Sequence, residues 1–319
     1  MLSRAQVLLL QSIVTITFIG ILLHNVKWNE LQLLISHIHW HFFILGVIFV
    51  LLSHLINVAR WQYLLQNQSI TFKRLLILYG AGLFSNNFLP TGIGGDGVRI
   101  TLLSRYVSLR QAIFSVGLDR VLGLFAITAF VPLGLWYGLP HGVRFMSMPW
   151  HASRQAVDIV LLIVAVAFMI ITFTLKGPRI WTNFVFSRLS GITNLITGFG
   201  HIGRPLFQSL CAGYILSVIS QIGIVVAHVF AFRALGIAIS SGAAVWLVLF
   251  ASLALVLPIT INGFGLMESV YVTILSAYGV PTAHALSVAL LIRFLMILFS
   301  LLGGLLSLKV ALPRVQSVI

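Results

Sequence analysis

Runs of about 20 apolar residues constrain this chain more than any other feature, because a helix rising 1.5 Å per residue crosses the roughly 30 Å core of a bilayer in about that length. Such runs recur at 5–23, 42–59, 121–136, 159–175, 206–232 and 285–308. With 60% of the 319 residues hydrophobic and 8% charged, a water-soluble fold has nowhere to hide the apolar surface. The strict alternation of a transmembrane barrel strand is missing as well. The expectation is an all-α polytopic membrane protein of about eight hydrophobic helical segments, forming a single domain over residues 1–319. Arg4 precedes the first run, but no small-residue cleavage pattern follows near 24–26, so this run reads as an uncleaved helix rather than a secretion signal. The single cysteine, Cys211, lies inside a predicted span and implies neither a disulfide framework nor a metal site.

A net charge of +14 raises nucleic acid as a partner, and the distribution of charge argues against it. With the N-terminus cytoplasmic, Arg60, Lys73, Arg74, Arg99, Arg105 and Arg110 join the basic residues at 4, 176–204 and 309–314 on the cytoplasmic side. Only Lys27, Arg144, Arg154 and Arg233 face outward, while Arg120 and Arg293 are left inside the membrane. Short cytoplasmic loops collect Lys and Arg, and anionic lipid attracts them, so topology accounts for the basicity. The expected location is a bacterial-type inner membrane with both termini cytoplasmic.

Two segments, 75–99 and 243–268, fit poorly as simple spans. The first contains SNNFLPTGIGGDGVR and the second LVLPITINGFGLME. In each, a short apolar helix runs into a proline, Pro90 or Pro258, and then into glycines, Gly95 and Gly97 or Gly263 and Gly265. Proline removes a backbone donor, and unwound backbone at membrane depth is tolerated only inside protein or beside a wet cavity. Both breaks read LPxxxxGxG, 168 residues apart, and the charge pattern puts them on opposite sides. That is the pattern of an inverted repeat whose broken helices meet near the midplane. The expected architecture is six full spans plus two re-entrant hairpins; the alternative is eight spans, two of them kinked by proline.

The chain has five carboxylates, and Glu30 and Asp158 fall at predicted interfaces. Asp96, Asp119 and Glu268 lie within or beside apolar segments, where each ionised group costs about 3 kcal/mol and marks a functional position by default. Arginine stays charged when buried and offers a planar fork to a phosphate. Arg99, Arg120 and Arg293 are therefore the candidate ligands of an anionic phosphate, with Asn86, Asn87 and Asn262 as neutral hydrogen-bond partners. Half-helix N-termini after the glycines would add backbone donors. Asp96, Asp119 and Glu268 would balance the arginines or carry a coupling proton. The structural alternative is static interhelical ion pairing, and Arg99 also fits the role of an interfacial anchor. His37, His39 and His41 flank Trp40 just before a span, which suits the headgroup zone better than a metal site; no metal or cofactor is expected.

The runs NNFLPTGIGGDGVR at 86–99, GLDRVLG at 117–123 and LPITINGFGLME at 257–268 resemble the motifs of the lysylphosphatidylglycerol synthase transmembrane-region family. Its members carry a proline–glycine break followed by an acidic and a basic residue, an acidic–arginine pair in the next span, and a glycine-rich break ending in glutamate. Asp96 and Arg99, Asp119 and Arg120, and Glu268 occupy those places. The resemblance implies movement between leaflets of a lipid with a polar head. Some members are fused to an aminoacyltransferase; no such segment is expected before Ile319, so aminoacylation is not carried over. The leading expectation is a flippase or secondary transporter for a phosphate-headed lipid, polyprenyl-linked or phospholipid. A scaffold recruiting a separate transferase or synthesis enzyme through residues 176–205 is the alternative. An integral-membrane lipid-phosphate enzyme is a weaker one, because no nucleotide loop, metal motif or nucleophile elbow is present.

Overall fold

The structure, a computed structural model, describes residues 36–65, 70–87, 94–128, 130, 204–256 and 260–311. Among them stand eight α-helices and no strand. They are α1 (Trp40–Leu65), α2 (Phe72–Asn86), α3 (Gly94–Leu103), α4 (Leu109–Thr128), α5 (Arg204–Ala234), α6 (Ser241–Val256), α7 (Leu266–Ala277) and α8 (Thr282–Ala311). A single 3-10 turn, Ile261–Gly263, precedes α7. The expected spans at 5–23 and 159–175 and the connector at 191–203 lie outside the described residues.

Three of these helices have both the length and the apolarity to cross a membrane: Trp40–Leu65, Gln208–Ala234 and Thr282–Ser307. The protein is an all-α polytopic membrane protein, as the apolar runs require. The span expected at 121–136 starts earlier than its apolar run, because α4 begins at Leu109 and carries Arg110, Asp119 and Arg120 within its length. The first described span likewise extends beyond 59 to Leu65 and takes Arg60 with it.

Helices α1 and α5 pack antiparallel along most of their length. Small residues let the backbones approach: a Cβ on Gly46 would sit 3.5 Å from the Ala227 carbonyl, and one on Gly223 would meet the Ser53 hydroxyl. The Ser53 hydroxyl donates to the Ser220 carbonyl at 3.1 Å, and the Ser220 hydroxyl donates back to Ser53 at 3.3 Å. Phe230 stacks on Phe42 and Phe49 towards one end.

Each interrupted segment folds as an antiparallel helical hairpin, not as one kinked span. In the first, the Gly95 N–H donates to the Asn86 side chain at 2.8 Å, and a Cβ on Gly82 would lie 2.6 Å from the Arg99 stem. In the second, Leu247 and Ala251 share a core with Tyr271 and Leu275, while Leu249 meets Ile274. The limbs have 15, 10, 16 and 12 residues, so the longest reaches only about 24 Å, short of a bilayer core. Pro90 and Pro258 lie outside the described residues. The first hairpin follows the C-terminal end of α1 and the second follows that of α5. Because α1 and α5 are antiparallel, the two hairpins enter from opposite ends. Helix α8 seals the first hairpin, with Gly80 on α2 crossing Gly303 so closely that a Cβ on either would lie 2.7 or 2.6 Å from the other's Cα.

Candidate functional site

Where α3 and α4 run past α1, five charged side chains join into one chain of contacts. Asp119 Oδ1 accepts from Arg60 Nε at 2.8 Å and lies 2.7 Å from Arg60 Nη2. Its other oxygen accepts from Arg99 Nη2 at 3.0 Å. Arg99 Nη1 reaches Asp96 at 3.4 Å, and the second Asp96 oxygen accepts from Arg120 Nε at 2.5 Å. Arg60 also donates to the Ser217 hydroxyl at 2.9 Å, tying the cluster to α5. Aromatic rings back the central arginine, whose guanidinium sits 4.1 Å from the Trp61 ring centre and 5.1 Å from that of Tyr79. Arg99 Nε is buried without a hydrogen-bond partner.

Arg60, Asp96, Arg99 and Asp119 are all buried, whereas the Arg120 side chain is 45% exposed. Arg99 is therefore no interfacial anchor, and Arg60 is no cytoplasmic loop residue. Asp119 and Arg120 do not pair with each other; about 100° of helix rotation sends one to Arg60 and Arg99 and the other to Asp96. Among the described residues three arginines face two carboxylates, a surplus of one positive charge.

The second constellation lies at the start of α7. Arg293 on α8 pairs with Glu268 through Nε to Oε1 at 2.7 Å and Nη2 to Oε2 at 3.1 Å. The same guanidinium donates to the carbonyls of Asn262 at 2.8 Å and Gly263 at 2.9 Å, and it sits 4.3 Å from the Phe264 ring centre. Those carbonyls are turned inward by a left-handed stretch in which Asn262, Gly263 and Gly265 have φ of 48, 69 and 78°. Glycine adopts that conformation freely, and asparagine is among the few other residues that tolerate it. Glu268 Oε2 also accepts from the Gly265 N–H at 2.8 Å. Arg293 thus closes the broken turn by taking carbonyls that no helix satisfies.

Both half-helix N-termini carry a carboxylate of their own in the first turn, Asp96 on α3 and Glu268 on α7. The Gly95 and Gly265 N–H groups are taken by Asn86 and Glu268, so one backbone donor at each half-helix N-terminus is already engaged. The two hairpin tips touch. Asn262 Nδ2 donates to Asn87 Oδ1 at 2.7 Å, and Asn87 Nδ2 donates to the Ser300 hydroxyl on α8. Gly97, expected as part of the break, lies within α3 in open space.

Arg60 is the site residue that the sequence reading missed. It ends a long apolar run, and the charge pattern groups it with Lys73 and Arg74, but it stands within α1, five residues before Leu65. Among the described residues no group of three His, Cys, Asp or Glu is placed to hold a metal.

An all-helical bundle with two interrupted hairpins, meeting tip to tip beside buried ion pairs, defines a polytopic membrane protein with a polar centre. The chain belongs to the family described as the lysylphosphatidylglycerol synthase TM region, whose model matches residues 8–304. It is 23% identical over 311 residues to the UPF0104 membrane protein MJ1595 of Methanocaldococcus jannaschii, covering 92% of this chain and 90% of that protein. It is 26% identical over 291 residues to the UPF0104 membrane protein PH1989 of Pyrococcus horikoshii, covering 84% and 87%. No solved structure matches.

Proposed function

We propose that the protein moves an anionic, phosphate-headed lipid between the leaflets of its membrane and is not an enzyme. The carrying observation is the cluster of Arg60, Arg99 and Arg120 against Asp96 and Asp119: among the described residues a surplus positive charge, buried at Arg60 and Arg99 and exposed at Arg120. A phosphate entering at Arg120 competes with Asp96 for that guanidinium and then for Arg99, whose fork suits two phosphate oxygens. Asp96 is the partner the phosphate replaces, since one of its oxygens reaches Arg99 only at 3.4 Å and the other holds the exposed Arg120. Asp119 holds Arg60 and Arg99 in register. Asn87 and Asn262 supply neutral hydrogen bonds where the tips meet, and Asn86 fixes the first turn of α3. Arg293 and Glu268 hold the second tip in shape rather than meeting the phosphate first. The family match supports a lipid-related membrane role, and the charge distribution supports cytoplasmic termini in an inner, plasma-type membrane.

The test is leaflet exchange in vesicles containing the purified protein and either a labelled polyprenyl phosphate or labelled phosphatidylglycerol. An impermeant quencher reports the label that becomes accessible. Faster exposure of one lipid by the wild type, lost in a folded Arg120→Ala variant, supports the reading and names the substrate class. No acceleration of either lipid by folded protein rejects it.

A further inference from the structure

The central cluster leaves one groove and one sequence feature unexplained, and they coincide. At the end of the molecule where α1 begins and α5 ends, an open groove of about 480 Å³ is lined by His39, Phe42, Arg233, Ile237 and Ser241, among others, with His39, Arg233 and Ser241 exposed. That volume falls within the usual range of ligand pockets, roughly 300–1,000 Å³. It lies at the opposite end of α1, about 39 Å along a 26-residue helix, from the basic residues at 73–74 and 105–110.

The floor of this groove is fixed by backbone. The His39 N–H donates to the Ala234 carbonyl at 2.8 Å, joining the start of α1 to the end of α5. Past α5 the chain turns through Gly236, with φ 68°, while Gly236 and Ile237 donate back to Arg233 and Phe232. Helix α6 then starts beside it, capped by Ser240, whose hydroxyl accepts from Ala243 at 3.2 Å. The pocket therefore collects a guanidinium, an imidazole, a hydroxyl and the positive end of a 16-residue helix against an apolar wall of Phe42, Ile237 and neighbours. Among the described residues no carboxylate lines it. Among the described residues Arg233 has no ion pair or hydrogen bond; its guanidinium lies 5.9 Å from the Phe42 ring centre. Trp40, 67% exposed at the same end, has the position of a headgroup-level anchor. This also gives the histidine run a role other than metal binding: His39 lines the pocket, while His37 engages Ser36.

We propose that this pocket binds the phosphoryl group of an anionic phospholipid from the adjoining leaflet, with Arg233 and His39 on the phosphate and Phe42, Ile237 and Ile239 against its glycerol and upper acyl carbons. The site stands independently of the central cluster and of transport. It is tested by native mass spectrometry of the full-length protein in detergent, titrated with phosphatidylglycerol or phosphatidylcholine. To keep the central site apart, the comparison is made in wild type and in Arg120→Gln. The expected result is preferential retention of phosphatidylglycerol that weakens about tenfold or more in Arg233→Gln, the scale of one lost charge-assisted contact. Arg233→Lys recovers part of it and Arg74→Gln leaves it unchanged, in proteins with equal melting temperatures. Equal retention of both lipids, or no effect of Arg233→Gln, overturns the assignment. Binding of inorganic phosphate alone as tightly as phosphatidylglycerol overturns the lipid as the source and makes the pocket a soluble-phosphate site.

Discussion

At the residue scale, the charged groups divide into those that hold the structure and the one that faces outward. Arg60 makes two contacts to Asp119, which is 2% exposed, so Arg60→Ala leaves that carboxylate with Arg99 alone. Breaking a buried pair costs about 3–5 kcal/mol, and retention of Arg99 puts the expected loss at the lower end, read as a fall in melting temperature in detergent. Glu268→Gln strips Arg293 of its only carboxylate among the described residues, and the full range is expected there. Arg120→Gln removes the nearer partner of buried Asp96 at an exposed guanidinium, so a smaller fall in melting temperature than for Arg60→Ala is expected, with a loss of lipid movement of tenfold or more. A large stability loss with unchanged exchange would reverse its assignment. The carboxylates and arginines were legible as a set because an ionised group in an apolar run stands out. Their pairing was not, since it depends on which helices become neighbours, and Arg60 was misplaced because it falls near the end of its run.

Helix packing sets a second group of expectations. Gly80 and Gly303 let α2 and α8 touch backbone to backbone, so Gly80→Ala forces the helices apart at about 1–3 kcal/mol. Gly117, within α4, has nothing within 4 Å of where a Cβ would stand. Gly117→Ala is expected to be neutral or to stabilise by up to about 1 kcal/mol through helix propensity. Thermal unfolding of the pair separates glycines needed for contact from those that are not. Asn262 permits a similar dissection. Asn262→Gly keeps the left-handed turn and loses only the bridge to Asn87, whereas Asn262→Ala adds about 1–2 kcal/mol of backbone strain. The melting temperature should fall further for alanine. The hairpins were readable from proline followed by spaced glycines. The Gly80–Gly303 crossing was not, because single glycines in an apolar helix carry no sign of what they face.

Across the whole molecule, the contact between hairpin tips is the only described hydrogen bond between the first hairpin and the turn of the second. If transport requires these tips to part, Asn87→Cys with Asn262→Cys in a Cys211→Ser background should halt lipid exchange on oxidation and restore it on reduction. Exchange that continues in fully crosslinked protein would mean that the tips act as one rigid body. The inverted arrangement was legible as two LPxxxxGxG breaks on opposite sides; that their asparagines meet was not, since neither break encodes its depth relative to the other. Arg293 has a further consequence, for the order of synthesis. Asp119 emerges after both of its arginines, Arg60 and Arg99, and is inserted with its partners already made. Glu268 emerges 25 residues ahead of Arg293, its partner on the final described helix. A nascent chain paused between them holds an uncompensated carboxylate and a frayed turn, so the second hairpin matures only when the last helix arrives. A chain truncated just before Arg293 should accordingly be degraded, not accumulate as a partly folded membrane protein.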